Sequence, residues 1–185
     1  MEFFEETVSE KSIYKGNVTE YTVQEVRLPD GKLAQREIVR HAGASAVIPF
    51  TQDGRMVLVK QYRKAIEQLS VEIPAGIKDE VDDTGLVTAK RELEEETGYQ
   101  ADEWEFVTSF FSTPGFTDEY LEIYEATGLK KVDNPLEMDD DEAIELIEVT
   151  FDEAWDLYGQ KLIRDSKTVF ALFYWKMKKL QESLS

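Results

Sequence analysis

Apolar and polar residues alternate imperfectly from Tyr21 to Leu28, break at Pro29-Asp30-Gly31-Lys32, and resume from Leu33 to Val39. That pattern predicts a β hairpin, and residues 1–40 as a whole read as a β ribbon. A ribbon of this kind either closes on its own sheet or reaches onto a partner subunit. Ala44 to Phe50 is an apolar run suited to a buried strand, and Asp53-Gly54 turns the chain into a second strand, Met56 to Val59, with Gln61-Tyr62-Arg63 at its end. Leu69 to Ile73 predicts a short strand that runs into the sharp turn Pro74-Ala75-Gly76. Then the period changes. Leu86, Ala89, Leu93 and Thr97 recur at steps of three and four, Asp82, Asp83 and Thr84 offer N-cap oxygens, and Gly98 offers a stop, so a helix is expected from about residue 84 to 97. Glu92, Glu95 and Glu96 fall on a different stripe of that helix.

Further on, Trp104 to Phe111 and Glu119 to Ala126 predict strands around the turn-rich loop Ser112-Thr113-Pro114-Gly115-Phe116-Thr117-Asp118. Lys130 to Asp141 is an acidic connection, Ala143 to Val149 a strand, and Phe151 to Tyr158 a short helix. Asp165 or Ser166 caps a last helix whose Val169, Phe170, Phe173, Met177 and Leu180 trace an apolar stripe, read as core packing. Strands on both sides of one central helix, with helices at the end, predict an α+β fold.

Composition narrows the class. A chain of 185 residues with 42% hydrophobic content and no linker predicts a single domain over 1–185. There is no apolar run near the ~20 residues that span a bilayer and no basic-then-apolar leader, so no membrane partner and a cytoplasmic location are expected. The absence of cysteine excludes disulfides, thiolate zinc sites and a cysteine nucleophile. A net charge of −18 argues against nucleic acid as a partner and sets up long-range repulsion of any polyphosphate, which local cations must overcome.

The candidate chemistry sits on the central helix. A glutamate cluster is ordinarily a solvated face, and the acidic run Glu137 to Glu142 is ordinarily a solvated loop. What changes the balance for Glu92, Glu95 and Glu96 is the strand Glu72-Ile73-Pro74-Ala75-Gly76 turning into their helix within a few residues. An oxygen-only donor set suits a hard cation, Mg²⁺ or Mn²⁺, that keeps positions for water and phosphate. Arg63 reads equally as a surface arginine and as a phosphate or ribose contact. His41, the one histidine, reads as structural.

The run Gly76…Arg91-Glu92-Leu93-x-Glu95-Glu96-x-Gly98-Tyr99 resembles the Nudix box: Gly, five residues, Glu, seven residues, then Arg-Glu-apolar-x-Glu-Glu-x-Gly-apolar. The second half matches at every fixed position. Counting back past seven residues from Arg91 lands on Asp83, with six residues rather than five between it and Gly76, which reads as a one-residue insertion before the helix. Arg36-Glu37-Ile38-Val39, His41-x-Gly43-Ala44, Gln61-Tyr62-Arg63 and Glu72-Ile73-Pro74-Ala75-Gly76 resemble the ADP-ribose pyrophosphatase branch. So does Pro114, sixteen residues beyond Gly98.

The resemblance implies an α/β/α sandwich with mixed sheets and an N-terminal ribbon, and Mg²⁺-dependent hydrolysis of ADP-ribose to AMP and ribose 5-phosphate. It implies metal ligands at Ala75 (through its carbonyl), Glu92, Glu95 and Glu96, with Arg91 steadying Glu95. Substrate contacts are expected at Arg36, Arg63, Glu72 and Pro114. The general base is placed at Glu142, with Asp140 next and Asp139 and Asp141 as neighbours in competition. By the same analogy the ribbon is exchanged in a homodimer. Two other readings stay open: the same fold acting on NADH, FAD, diadenosine polyphosphates or a sugar nucleotide, and a catalytically silent module that binds ADP-ribose.

Overall fold

The computed structural model describes residues 3–79, 82–138 and 143–184. The chain forms two compact units, one from Met1–Ala44 with Ser109–Leu121, the other from Ser45–Thr108 with Glu122–Ser185.

In the first unit, β1 (Glu6–Lys15), β2 (Thr19–Arg27) and β3 (Leu33–His41) form an antiparallel sheet in the order β1-β2-β3. The predicted hairpin is β2–β3, with Tyr21 opposite Val39 and Val26 opposite Ala34. Gly31 takes φ +85° in its turn, a conformation that favours glycine. Thr22, Gln24 and Val26 bury one face of β2, as a period of two requires, whereas every residue of β1 is exposed. The Pro114 loop is fastened to β3. The Val39 N–H donates to the Phe116 carbonyl at 2.8 Å, the His41 N–H donates to Asp118 Oδ1 at 2.9 Å, and Arg40 pairs with Asp118 at 3.0 Å. His41 itself accepts from the Gly43 N–H through Nδ1 at 3.1 Å, the structural role expected of it.

The second unit is built around α1 (Gly85–Thr97). It contains β5 (Met56–Arg63), β6 (Gln68–Glu72), β7 (Ala75–Ile77), β10 (Glu145–Val149), α2 (Phe151–Gly159) and α3 (Ser166–Glu182), together with most of β4 (Ala44–Pro49). The long strands β8 (Tyr99–Phe111) and β9 (Tyr120–Lys131) contribute residues to both units. The sheet orders are β10-β5-β6 and β7-β4-β9-β8, an α+β arrangement.

The helix α1 starts at Thr84, whose Oγ1 accepts from the Val87 N–H, and stops at Gly98, in the left-handed region at φ +68° with its N–H on the Glu94 carbonyl. Its Ala89 and Leu93 are fully buried among Val47, Val57, Tyr99, Tyr124 and Ala126. Burying a leucine side chain of this kind contributes about 1.5–3 kcal/mol. That packing leaves the neighbouring stripe of the helix for Glu92, Glu95 and Glu96.

The last helix buries a different stripe from the one expected. Thr168, Ala171, Leu172 and Trp175 face inward, while Phe173, Met177 and Leu180 are exposed. Trp175 packs between Phe50 and Phe151, and Phe173 instead covers α2 edge-on at Trp155 and Tyr158. The inner face thus combines two small residues, Thr168 and Ala171, with Leu172 and Trp175, the last filling the space beside Phe50 and Phe151. Among the described residues no helix is long and apolar enough to cross a membrane.

Candidate active site

Arg91 holds two carboxylates of the acidic stripe of α1. Nη1 of Arg91 donates to Glu95 Oε2 at 2.7 Å and lies 2.8 Å from Glu92 Oε1. Nη2 donates to the Ile77 carbonyl at 3.0 Å and to Asp82 Oδ2 at 3.2 Å. One guanidinium thus ties the helix to β7 and to the loop before the helix. Burial alone lowers the pKa of Arg91, but Glu92, Asp82 and Glu95 outweigh it and hold the group above its ordinary value.

Asp82, not Asp83, is the acidic partner in that loop. Its Oδ2 also accepts from Thr88 Oγ1 at 2.9 Å and from the Asp79 N–H at 3.2 Å. Burial pushes its carboxyl up, and the bonds from Thr88, Asp79 and Arg91 bring it below the usual range. Asp83 is exposed and precedes the cap. Five residues separate Asp82 from Gly76, so the extra residue falls after the acid rather than before it. The carboxylate that meets Arg91 is thus one residue earlier than the position reached by counting back from Arg91, and the extra residue is absorbed in the turn into Thr84. The helix register of Glu92, Glu95 and Glu96 is unaffected.

The other two carboxylates meet β7. Glu96 Oε2 accepts from the Ala75 N–H at 3.0 Å, and a side chain at Gly76 would run into the Glu92 carboxyl group. Glycine at 76 therefore leaves the Glu92 carboxyl group its present position, which any side chain there would make it give up. Among the described residues no three acidic groups are drawn together as a ready cage; Glu92 and Glu95 lean on Arg91 instead. The donor set, carboxylates and backbone oxygens beside a strand with no side chain in the way, fits a hard divalent cation.

Arg63 and Glu72 are joined by two parallel bonds, Nε to Oε1 at 3.0 Å and Nη2 to Oε2 at 2.8 Å. Glu72 is 2% exposed. Its burial raises the carboxyl pKa, but Arg63 and Lys167 together bring it down to about 2, so it is ionised at neutral pH. Lys167, near the start of α3, has no counterpart among the residues expected from the sequence. It lies 95 positions from Glu72, and nothing in a local pattern pairs the two.

Arg36 and Pro114 belong to the first unit. Both line a cavity of about 410 Å³ there, with Gln24, Arg40, Phe116 and Asp118. Arg36 is paired with Glu5 through Nε at 2.8 Å and Nη2 at 2.6 Å. Glu142, Asp139, Asp140 and Asp141 lie outside the described residues. The segments on either side of them, Glu137-Met138 and Ile144, border the same cavity as Glu95 and Glu96. Glu94 turns away from the acidic stripe and accepts from the Leu136 N–H at 3.2 Å, tying α1 to the start of that segment.

A glutamate helix anchored by an internal arginine against a Pro-Ala-Gly strand defines the class, and the chain belongs to the NUDIX domain family, whose profile matches residues 39–172. It is 47% identical over 182 residues to the methanol dehydrogenase activator of Bacillus methanolicus, covering 98% of this chain and 96% of that one. It is 42% identical over 174 residues to the ADP-ribose pyrophosphatase of Bacillus subtilis (strain 168), with 94% of each chain covered. The crystal structure of an ADP compounds hydrolase superposes with a TM-score of 0.81 at 19% identity, over 99% of this chain and 98% of that one, a likeness of fold.

Proposed function

We propose that this protein hydrolyses the pyrophosphate bond of ADP-ribose, releasing AMP and ribose 5-phosphate, in the cytoplasm. The observation that carries the reading is the Arg91-centred carboxylate stripe facing β7, in a chain 42% identical to an ADP-ribose pyrophosphatase. The family generally uses a divalent metal, and Mg²⁺, with Mn²⁺ as substitute, is the one proposed here. Glu92, Glu95, Glu96 and the Ala75 carbonyl are the residues to hold it. When bound, it neutralises pyrophosphate charge and lowers the pKa of an attacking water.

The chain's own groups do the rest. Arg63, held by Glu72, meets a phosphate; Arg36 and Pro114 are proposed as further substrate contacts; and Arg91 keeps Glu95 oriented. Glu142 takes the proton as the water oxygen bonds to phosphorus and the bridging P–O bond breaks. These cations also offset locally the field of a chain carrying −18.

AMP release from ADP-ribose with Mg²⁺, beside an EDTA control and a panel of NADH, FAD, diadenosine polyphosphate and sugar nucleotides, tests the reading. ADP-ribose is expected to be the best substrate and EDTA to abolish release. Preference for another compound replaces the substrate, and binding of ADP-ribose without release from any compound favours a silent module. The relative named as an activator of methanol dehydrogenase supports a second reading, in which the protein acts on a dehydrogenase. Stimulation of a purified methanol dehydrogenase by this protein would favour it.

The assembly proposed is a homodimer of a single 1–185 catalytic domain. Supporting this, β1 is an edge strand with all ten residues exposed, Val8, Ile13 and Tyr14 among them. Light scattering at assay concentration is expected to give the mass of two chains, and a monomer mass removes the proposal.

A further inference from the structure

We infer that Lys167 is a positioning residue for substrate binding: it pins Glu72 from the interior, so that Glu72 in turn fixes the guanidinium of Arg63 towards the pyrophosphate. The inference rests on the pyrophosphatase reading and extends it to a residue on α3.

Lys167 Nζ donates to Glu72 and, at 2.9 Å, to Asp165 Oδ1. Its side chain is 13% exposed, against 43% for Arg63, although both hold the same carboxylate. The lysine therefore stands behind Glu72 and the arginine in front, within reach of solvent. Lys167 cannot itself grip a ligand arriving from outside. Arg63 can, because its Nε and Nη2 are used by Glu72 while Nη1 makes no hydrogen bond among the described residues.

Charge bookkeeping favours the same division of labour. An Arg–carboxylate fork on its own is neutral and offers an anion little. Here Glu72 is shared by two cations, and Asp165, the second partner of Lys167, is also the N-cap of α3, accepting from the Thr168 N–H at 3.1 Å. The positive end of that helix offsets part of the Asp165 charge. Lys167 and the helix terminus thus offset Glu72 and Asp165 from the interior side, and the exposed cation, Arg63, also feels the Glu96 carboxylate.

The neighbouring residue stiffens the arrangement. Thr168 Oγ1 accepts from the Ile73 N–H at 2.9 Å, and the Leu162 carbonyl accepts from the Val71 N–H at 2.9 Å. Val71 and Ile73, the two chain neighbours of Glu72, are therefore both held by the stretch from Leu162 to Thr168, just ahead of Ala75.

Steady-state kinetics on Lys167→Met, Arg63→Met and the double variant test the inference. Lys167→Met is expected to raise KM for ADP-ribose about tenfold with kcat within about threefold, and to add less than about twofold in the Arg63→Met background. Lys167→Gln, which keeps a donor but not the charge, is expected to fall between wild type and Lys167→Met. An equal rise in KM in both backgrounds, or a fall in kcat alone, overturns the inference. So does failure of both Lys167→Met and Lys167→Gln to fold, which makes the lysine purely structural. Wild type that cleaves a different compound in the panel overturns the ADP-ribose reading alone, and the same cycle is then measured with that compound. Wild type that cleaves none overturns both.

Discussion

Changing Glu142 to glutamine is expected to lower kcat for ADP-ribose by about 10²–10⁴ while KM stays within about threefold. The amide keeps the size and hydrogen-bonding capacity of the side chain but cannot accept a proton from the attacking water, so the loss is confined to the chemical step. The assignment draws on the sequence resemblance, and the segments bounding 139–142 border the cavity that contains Glu95 and Glu96. Asp139, Asp140 and Asp141 provide the internal comparison. Each, changed to asparagine, is expected to leave kcat within about tenfold of wild type, since a base is effective only within hydrogen-bond reach of the water, directly or through one more water. A large loss at Asp140 with near-normal turnover in Glu142→Gln would move the base to Asp140.

How far the sequence alone reaches depends on the range of the interaction concerned. The boundaries of α1 were legible because each end is decided within four residues, by Thr84 on the Val87 N–H and by Gly98 in the left-handed region. The β2–β3 hairpin was legible for the same reason. The Arg91–Glu95 bond is a local i,i+4 contact and was expected. Asp82 and Asp83 differ by one position in a loop without periodicity, where spacing gives no guide and only the geometry of Arg91 distinguishes them. The inner face of α3 differs from the stripe of Val169, Phe170, Phe173, Met177 and Leu180 because the inward face is fixed by partners distant in sequence, Phe50 for Trp175 and the Ile73 N–H for Thr168, which no local pattern names. The link from Lys167 to Glu72 had no sequence signal beyond its place two residues after the capping Asp165. A lysine in the first turn of a helix is ordinarily solvent-facing, and only the fold brings a buried carboxylate to it.

Replacing Arg91 by methionine is expected to destabilise the protein by about 3 kcal/mol, at the lower end of the range for breaking a buried ion pair, because Arg91 is partly solvated at 24% exposure. For a chain of this length that corresponds to a fall in Tm of about 6–12 °C. The loss comes from what is left behind. Asp82, 4% exposed at its side chain, keeps the Thr88 and Asp79 donors but loses its counter-charge, and Glu92 and Glu95 are left to repel each other. Removing the stranded buried charge as well separates this cause from a simple packing defect. In the double variant Asp82→Asn/Arg91→Met, stability is expected to exceed the sum of the two single effects by about 1–2 kcal/mol, a coupling typical of residues in one network. Thermal unfolding of the four proteins measures it, and strict additivity would show that Asp82 and Arg91 do not act as a pair. Turnover adds a second measure. With Glu95 no longer held at 2.7 Å and the helix no longer tied to the Ile77 carbonyl, kcat/KM is expected to fall about 10²-fold even at temperatures where the variant is fully folded. Arg91→Lys recovers part of the stability but little of the turnover, because an ammonium group supplies the charge without the planar fork that reaches Glu95, Asp82 and Ile77 together.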